Sequence, residues 1–237
     1  MISRDAAWSA LGQVRDPELD RPITDLGFVA DLEINPDSVR AELRLPTYFC
    51  APNFAWLMVA DARDALAALG ARPEVVLLDH FASEEINAGV AALDDFASSF
   101  GDGLEDPALD SLRATFERKA HLAAQERLAR ALIAAGLDPA SLCAAGMDTA
   151  ARLAPSPATA VLRRRGRLGL TSAYALCDDA GEPLNEEALP GWLRFARTVR
   201  VSIDGNAALC RGLLETRYPD TRGDLGLVMV HQSGEQG

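Results

Sequence analysis

Between Val39 and Leu45 the chain alternates strictly. Val39, Ala41, Leu43 and Leu45 are apolar, and Arg40, Glu42 and Arg44 between them are charged. A period of two marks a strand with one face in a core and the other in water. Such a strand needs neighbours, and the flanking sequence supplies them. Leu26 to Ile34 reads as a strand, and Asn35-Pro36-Asp37-Ser38 is a turn, so the two runs form a hairpin. Downstream the period changes. Ala55, Met58, Val59, Ala62, Leu66 and Leu69 make one stripe of a helix over 53–69, which Gly70 ends. Val75-Val76-Leu77-Leu78, within 74–79, supplies a third strand. Upstream, Ser3 caps a short helix carrying Ala7, Trp8 and Leu11, and Asp16-Pro17-Glu18 closes it. The order is α-β-β-α-β, a small two-layer unit over residues 1–80.

The remainder reads as mostly helical, which makes the whole chain α+β. Residues 81–106, rich in small and acidic side chains, are expected to be a linker with one short helix. Residues 107–237 are expected to be a helical domain with a disordered C-terminal tail that includes His231. Asp106-Pro107-Ala108, Asp138-Pro139-Ala140 and Ser156-Pro157-Ala158 repeat one start signal, a capping oxygen followed by proline at the first helical position. The first long helix is expected over 107–135 and the last over 190–217. Asp204-Gly205-Asn206 weakens the middle of the latter, where glycine costs about 1 kcal/mol.

The chain has 237 residues and a formal net charge of −12. That charge opposes non-specific binding to nucleic acid or anionic lipid, because phosphates would be repelled. The basic run Arg163-Arg164-Arg165-Gly166-Arg167 is expected to be a solvated helix face. Met1 to Leu11 carries charge and lacks a long apolar core, so no secretory leader is expected. No segment approaches the roughly 18 apolar residues of a membrane span. A cytoplasmic protein is the expectation. Its four cysteines, Cys50, Cys143, Cys177 and Cys210, are widely spaced and read as free thiols. Phosphate-binding, dinucleotide-binding, nucleophile-elbow and zinc-protease motifs are absent from the sequence.

The chemistry gathers where the second strand meets the second helix, in Pro46-Thr47-Tyr48-Phe49-Cys50-Ala51-Pro52. A cysteine just before a helix lies near unpaired N–H groups and the positive end of the helix dipole. Both favour the thiolate, which is nucleophile and metal ligand alike. Thr47 places a hydroxyl nearby. A buried structural cysteine is the plainer alternative.

Asp16-Pro17-Glu18-Leu19, then Ile23-Thr24-Asp25-Leu26-Gly27-Phe28-Val29, then the hairpin and the cysteine loop, resemble the metal–sulfur cluster assembly family of SufT and PaaD type. The resemblance covers about residues 3–80. It implies an accessory factor that assembles or delivers iron or an iron–sulfur cluster, transiently bound, to a client metalloenzyme. A bacterial multicomponent oxygenase is the client it suggests. It also implies Asp16, Thr47 and Cys50 as the residues that hold the cargo. Cys50 stands one residue earlier than the family's Gly-Cys-Pro order would place it. One cysteine supplies too few ligands for a cluster, so a bridged homodimer or an external thiol would be needed. A metal-free adaptor for such an enzyme, and a thiol enzyme using Cys50, are the competing readings.

Other residues rank lower. His80, after the third strand, is a candidate second metal ligand or a surface histidine. Glu117 and His121 share a helix face and read as an exposed pair. Cys210 and Cys143 look like core thiols. Cys177, before the turn Asp178-Asp179-Ala180-Gly181, is the second candidate for a reactive thiol.

Overall fold

The computed structural model describes residues 2–100 and 109–219. Two compact units divide them: 2–16, 21–100 and 207–219 in the first, 17–20 and 109–206 in the second. This division runs elsewhere than the expected boundaries at 80 and 106, since the end of the last helix packs within the first unit. The tail with His231 and the start signal at Asp106 lie outside the described residues.

The first unit holds α1 (Arg4–Leu11), β1 (Val29–Ile34), β2 (Ser38–Arg44), α2 (Pro52–Ala67), β3 (Arg72–Leu78), α3 (Ser83–Ala92) and α4 (Phe96–Phe100). Ser3 caps α1 as expected, its hydroxyl accepting from the Ala6 amide at 3.1 Å. The strands lie in the order β1-β2-β3. β1 and β2 are the antiparallel hairpin, with an irregularity between Val29 and Asp31. That irregularity explains why Val29 and Leu32, three apart, are both buried. β2 buries Val39, Ala41 and Leu43 and turns Arg40 and Glu42 outward, as its alternation requires. β3 pairs with β2 in parallel, and α2 makes the crossover. The outer edge of β3 is closed by a side chain. Asn87 on α3 accepts from the Leu77 amide at 2.8 Å and donates to its carbonyl at 3.0 Å. A bare edge would invite pairing with another chain.

The stretch expected to be a linker is therefore part of the packing. Ile86, Val90 and Phe96 are buried, and the rings of Phe96 and Phe100 meet Trp56 of α2. Gly89 permits this approach. A Cβ there would meet Ser99 Oγ and lie 2.5 Å from Trp56 Cη2.

The second unit contains α5 (Leu109–Ala134), α6 (Pro139–Ala144), α7 (Met147–Leu153), α8 (Pro155–Leu168) and most of α9 (Leu189–Arg217). Leu128, Leu132, Leu142, Val161 and Leu176 form its core. Asp138 caps α6, accepting from the Ser141 amide at 2.8 Å. Ser156 does not cap α8, which begins at Pro155 with no side-chain cap. α9 runs unbroken through Gly205. Flanking ion pairs offset the glycine: Asp204 accepts from Arg127 at 2.7 Å and from Arg200 at 3.1 Å.

The basic run is a solvated face only in part: Arg163 and Arg167 are exposed, but the two arginines between them are not. Arg164 and Arg165 are 6% and 3% exposed. Arg164 forms a buried ion pair with Asp20. Arg165 uses all five of its N–H groups: on His121 Nε2, on the carbonyls of Ser172, Tyr174 and Ala175, and on the Cys177 sulfur. His121 is thus buried and accepts at Nε2, rather than sitting in an exposed pair with Glu117. Burial, and then the nearby guanidinium groups of Arg165 and Arg164, push its pKa from the ordinary 6.5 to about 4.

Two outcomes follow from this packing. Gly89→Ala should destabilise the protein by about 1–3 kcal/mol, read from urea melts, because the indole ring of Trp56 must move. His121 stays neutral in the fold while the unfolded chain takes up its proton below the ordinary pKa. Stability is therefore full above about pH 6.5 and falls as pH drops toward about 4, by on the order of 3 kcal/mol. The stability gap between wild type and His121→Gln should narrow by about that much over this range; a gap independent of pH would contradict the assignment.

Candidate functional site

Because β2 and β3 are parallel neighbours, with Arg44 opposite Leu78 in the register, their C-terminal ends lie together at one end of the sheet. The loops that leave those ends must meet. One is Leu45 to Ala51, before α2. The other is Asp79 to Ala82, before α3.

Their contacts are specific. In the first loop Thr47 Oγ1 lies 3.2 Å from Cys50 Sγ, a hydrogen bond in which either group can donate. Cys50 is half-buried and Tyr48 and Phe49 are exposed. In the second loop His80 is only 3% exposed. Its Nδ1 accepts from the Ala82 amide at 3.2 Å, so the ring proton sits on Nε2, which lies 2.7 Å from the Cys50 carbonyl. The Phe81 amide also donates to the Tyr48 carbonyl, at 3.1 Å. Burial lowers the His80 pKa against the opposing effect of its bond to Cys50, and the Arg217 charge lowers it further. His80 is a neutral clamp on the cysteine loop. Both ring nitrogens are engaged, so the expectation of a second metal ligand meets a histidine with no open nitrogen while these bonds hold, and the surface reading meets a buried ring.

Asp79 sets up this clamp. Its φ of 47° lies in the left-handed region, which aspartate tolerates better than most residues. The turn swings His80 back toward Cys50. The end of α9 secures it: Arg217 donates to the carbonyls of Leu45 at 3.1 Å and Asp79 at 2.6 Å, and the Tyr218 hydroxyl donates to Asp79 Oδ2 at 3.0 Å. Asp79, Arg217 and Tyr218 were not singled out from the sequence. Nothing local signals a partnership across some 138 positions.

Three exposed rings flank the thiol. Tyr48, Phe49 and Phe81 lie with centroids 5.0–6.3 Å apart, and Phe49 is 77% exposed.

Asp16, 7% exposed, sits between α1 and β1 in a turn closed by its amide on the Arg21 carbonyl at 3.0 Å. Cys177 is 1% exposed and burial raises its pKa, although the Arg165 guanidinium acts the other way. It is a structural thiol, because Arg165 holds its sulfur and Gln125 holds its amide and carbonyl. Cys143 is buried, as expected, whereas Cys210 is only half-buried. Among the described residues no three His, Cys, Asp or Glu side chains are grouped to hold a metal ion. Among them, too, no helix is long and apolar enough to cross a membrane.

Residues 4–76 match the family model described as iron-sulfur cluster assembly protein. The matched stretch contains Asp16, Thr47 and Cys50 and stops before His80. The N-terminal region therefore carries the family likeness that its motifs suggested. No curated protein and no solved structure matches the chain.

The geometry orders the thiols by reactivity. In native protein treated with iodoacetamide, the half-buried Cys50 and Cys210 should be alkylated readily, while Cys143 and Cys177 react at least about 100-fold more slowly, through opening of the fold. Peptide mass spectrometry at timed quenches reads this directly. Labelling of Cys177 at the rate of Cys50 would show that the Arg165 network does not protect it.

Proposed function

We propose that this protein is an accessory factor that assembles or delivers iron or an iron–sulfur cluster to a client metalloenzyme, with Cys50 as the ligand that touches the cargo. The match of the N-terminal region supports a role in iron–sulfur cluster assembly in general. The observation that carries the finer reading is the Thr47–Cys50 contact in a loop clamped by His80. Cys50 stands two residues before Pro52, the first residue of α2, and the N-cap Ala51 offers no side-chain oxygen to the helix. The Thr47 hydroxyl lies 3.2 Å from the sulfur and holds it in the loop. His80 acts as a positioning residue, because its Nε2–H fixes the Cys50 carbonyl and so the loop that presents the sulfur. Asp16 remains a proposed contributor from the family pattern.

One sulfur cannot hold a cluster alone, since clusters are usually held by four thiolates. The cargo would be shared, either across two copies of this chain or with an external thiol. Shared ligation suits a carrier, because exchange of one thiol at a time releases the cargo. A multicomponent oxygenase is the client we favour.

A second reading has its own observation. The exposed Tyr48, Phe49 and Phe81 make an aromatic surface of the kind that docks on protein partners. A metal-free adaptor for the same client would use this surface and leave Cys50 without cargo.

The two separate in one experiment. Anaerobically reconstituted wild type should carry iron and acid-labile sulfide, Cys50→Ser should lose most of both, and the loaded fraction should elute as a dimer unless a small thiol is added. Equal iron in wild type and variant would overturn Cys50 as ligand. Absence of iron from both, with client binding lost on Phe49→Ala, would establish the adaptor.

A further inference from the structure

The first unit has a cavity of about 480 Å³ distinct from the cysteine loop. One wall is Thr24-Asp25-Leu26-Gly27, the turn that leads into β1, and another is the end of α9, including Leu214. Gly27 has a φ of 76°, and a Cβ on it would lie 3.3 Å from Leu214 Cδ2. The α9 wall lies outside residues 4–76, so the cavity is built partly from sequence beyond the family match.

Arg44 lines it. The residue is 8% exposed, and among the described residues no ion pair answers its guanidinium. Its Nε is buried with no hydrogen-bond partner. The ring of Tyr218 lies under it, 4.7 Å from the guanidinium carbon to the ring centroid. Stacking fixes the plane of the fork but offers no acceptor to its N–H groups. Among the described residues the other two buried arginines are paired: Arg164 with Asp20 and the Ala160 carbonyl, Arg165 with carbonyls, a histidine and a thiol. Arg44 alone among these three has a buried N–H with no partner, and the same residue lines a cavity.

We infer that this cavity binds a small molecule carrying one carboxylate on an apolar body, with Arg44 as its anchor. A planar guanidinium held in place meets a carboxylate in two parallel hydrogen bonds. Leu26, Leu214 and the Tyr218 ring offer apolar wall to the rest of the ligand. Asp25 and Glu215 also line the space. Their charge weighs against a multiply charged anion such as phosphate, and Arg211 on the rim only partly offsets it. The volume falls in the usual range for small-molecule sites, roughly 300–1,000 Å³. The site does not depend on the cluster-assembly reading, although Tyr218 is shared: its ring faces Arg44 and its hydroxyl holds Asp79 beside His80.

Benzoate is the probe, with inorganic phosphate as the comparison. Titration of each into the full-length ¹⁵N-labelled protein at low ionic strength gives affinity and location together. Benzoate should bind saturably, with shifts concentrated at residues 24–27, 44 and 211–218, and phosphate should bind more weakly. Arg44→Gln should weaken benzoate about tenfold or more, and Arg44→Lys, which keeps charge but not the fork, by several-fold. If Arg44→Gln does not fold, the shift map of the unaltered protein and the Arg44→Lys affinity decide. Absence of saturation by millimolar benzoate, shifts centred elsewhere, equal affinity in the Arg44 variants, or tighter binding of phosphate would each overturn the inference.

Discussion

An arginine keeps its charge wherever the chain puts it, and among the described residues three are buried: Arg44, Arg164 and Arg165. Leaving a cation uncompensated in a fold costs several kcal/mol. Much of the arrangement follows from pairing Arg164 and Arg165, while Arg44 is stacked on a ring with its Nε unpartnered. From α8, Arg165 gathers α5 and the 172–177 segment by donating to His121 and to three carbonyls and a sulfur of that segment. Arg164 fixes Asp20, whose φ of 49° is itself unusual. Arg44 draws the Tyr218 ring against the sheet. The consequence reaches the cysteine loop, because Tyr218 and its neighbour Arg217 hold the backbone and carboxylate of Asp79.

The candidate site rests on a topological fact, the parallel pairing of β2 and β3. Parallel neighbours end on the same side, so the loop carrying Thr47 and Cys50 and the loop carrying His80 are adjacent without further instruction. The hydrogen bonds between them convert adjacency into fixed geometry. A thiol that must accept and release cargo needs a defined position and an open approach. The buried His80 beneath it and the exposed aromatic residues around it provide one of each. The same surface serves either a carrier or an adaptor, and the two proposals differ only in what the sulfur holds.

Much of this fold was legible in the sequence. The alternation over 39–45, the stripe over 53–69 and the Ser3 and Asp138 caps all specify local structure through side chains a few residues apart. Thr47 and Cys50 were legible as a pair because three residues and one loop separate them. Other features depend on distant partners. Arg164 and Arg165 look like part of a solvated face, and His121 like half of an exposed pair, when only neighbours in sequence are considered. Their partners lie 44 and 144 positions away. Cys177 looked reactive beside a turn, and Gln125 and Arg165, from 52 and 12 positions away, bury it. Residues 81–100 looked like a linker because small residues dominate them. That smallness is what lets Gly89 come close to Trp56.

The sequence by itself determined the local elements, the strand–loop–helix junction that presents a cysteine, and the motifs that mark the N-terminal region, since each depends on periodicity and short-range sterics. The tertiary structure alone decided which charges are buried, which thiols are protected, that His80 clamps the cysteine loop, and that Arg44 faces a cavity. Those outcomes depend on which distant groups share a low-dielectric space, and burial and partnership are properties of that space, not of any short stretch of chain.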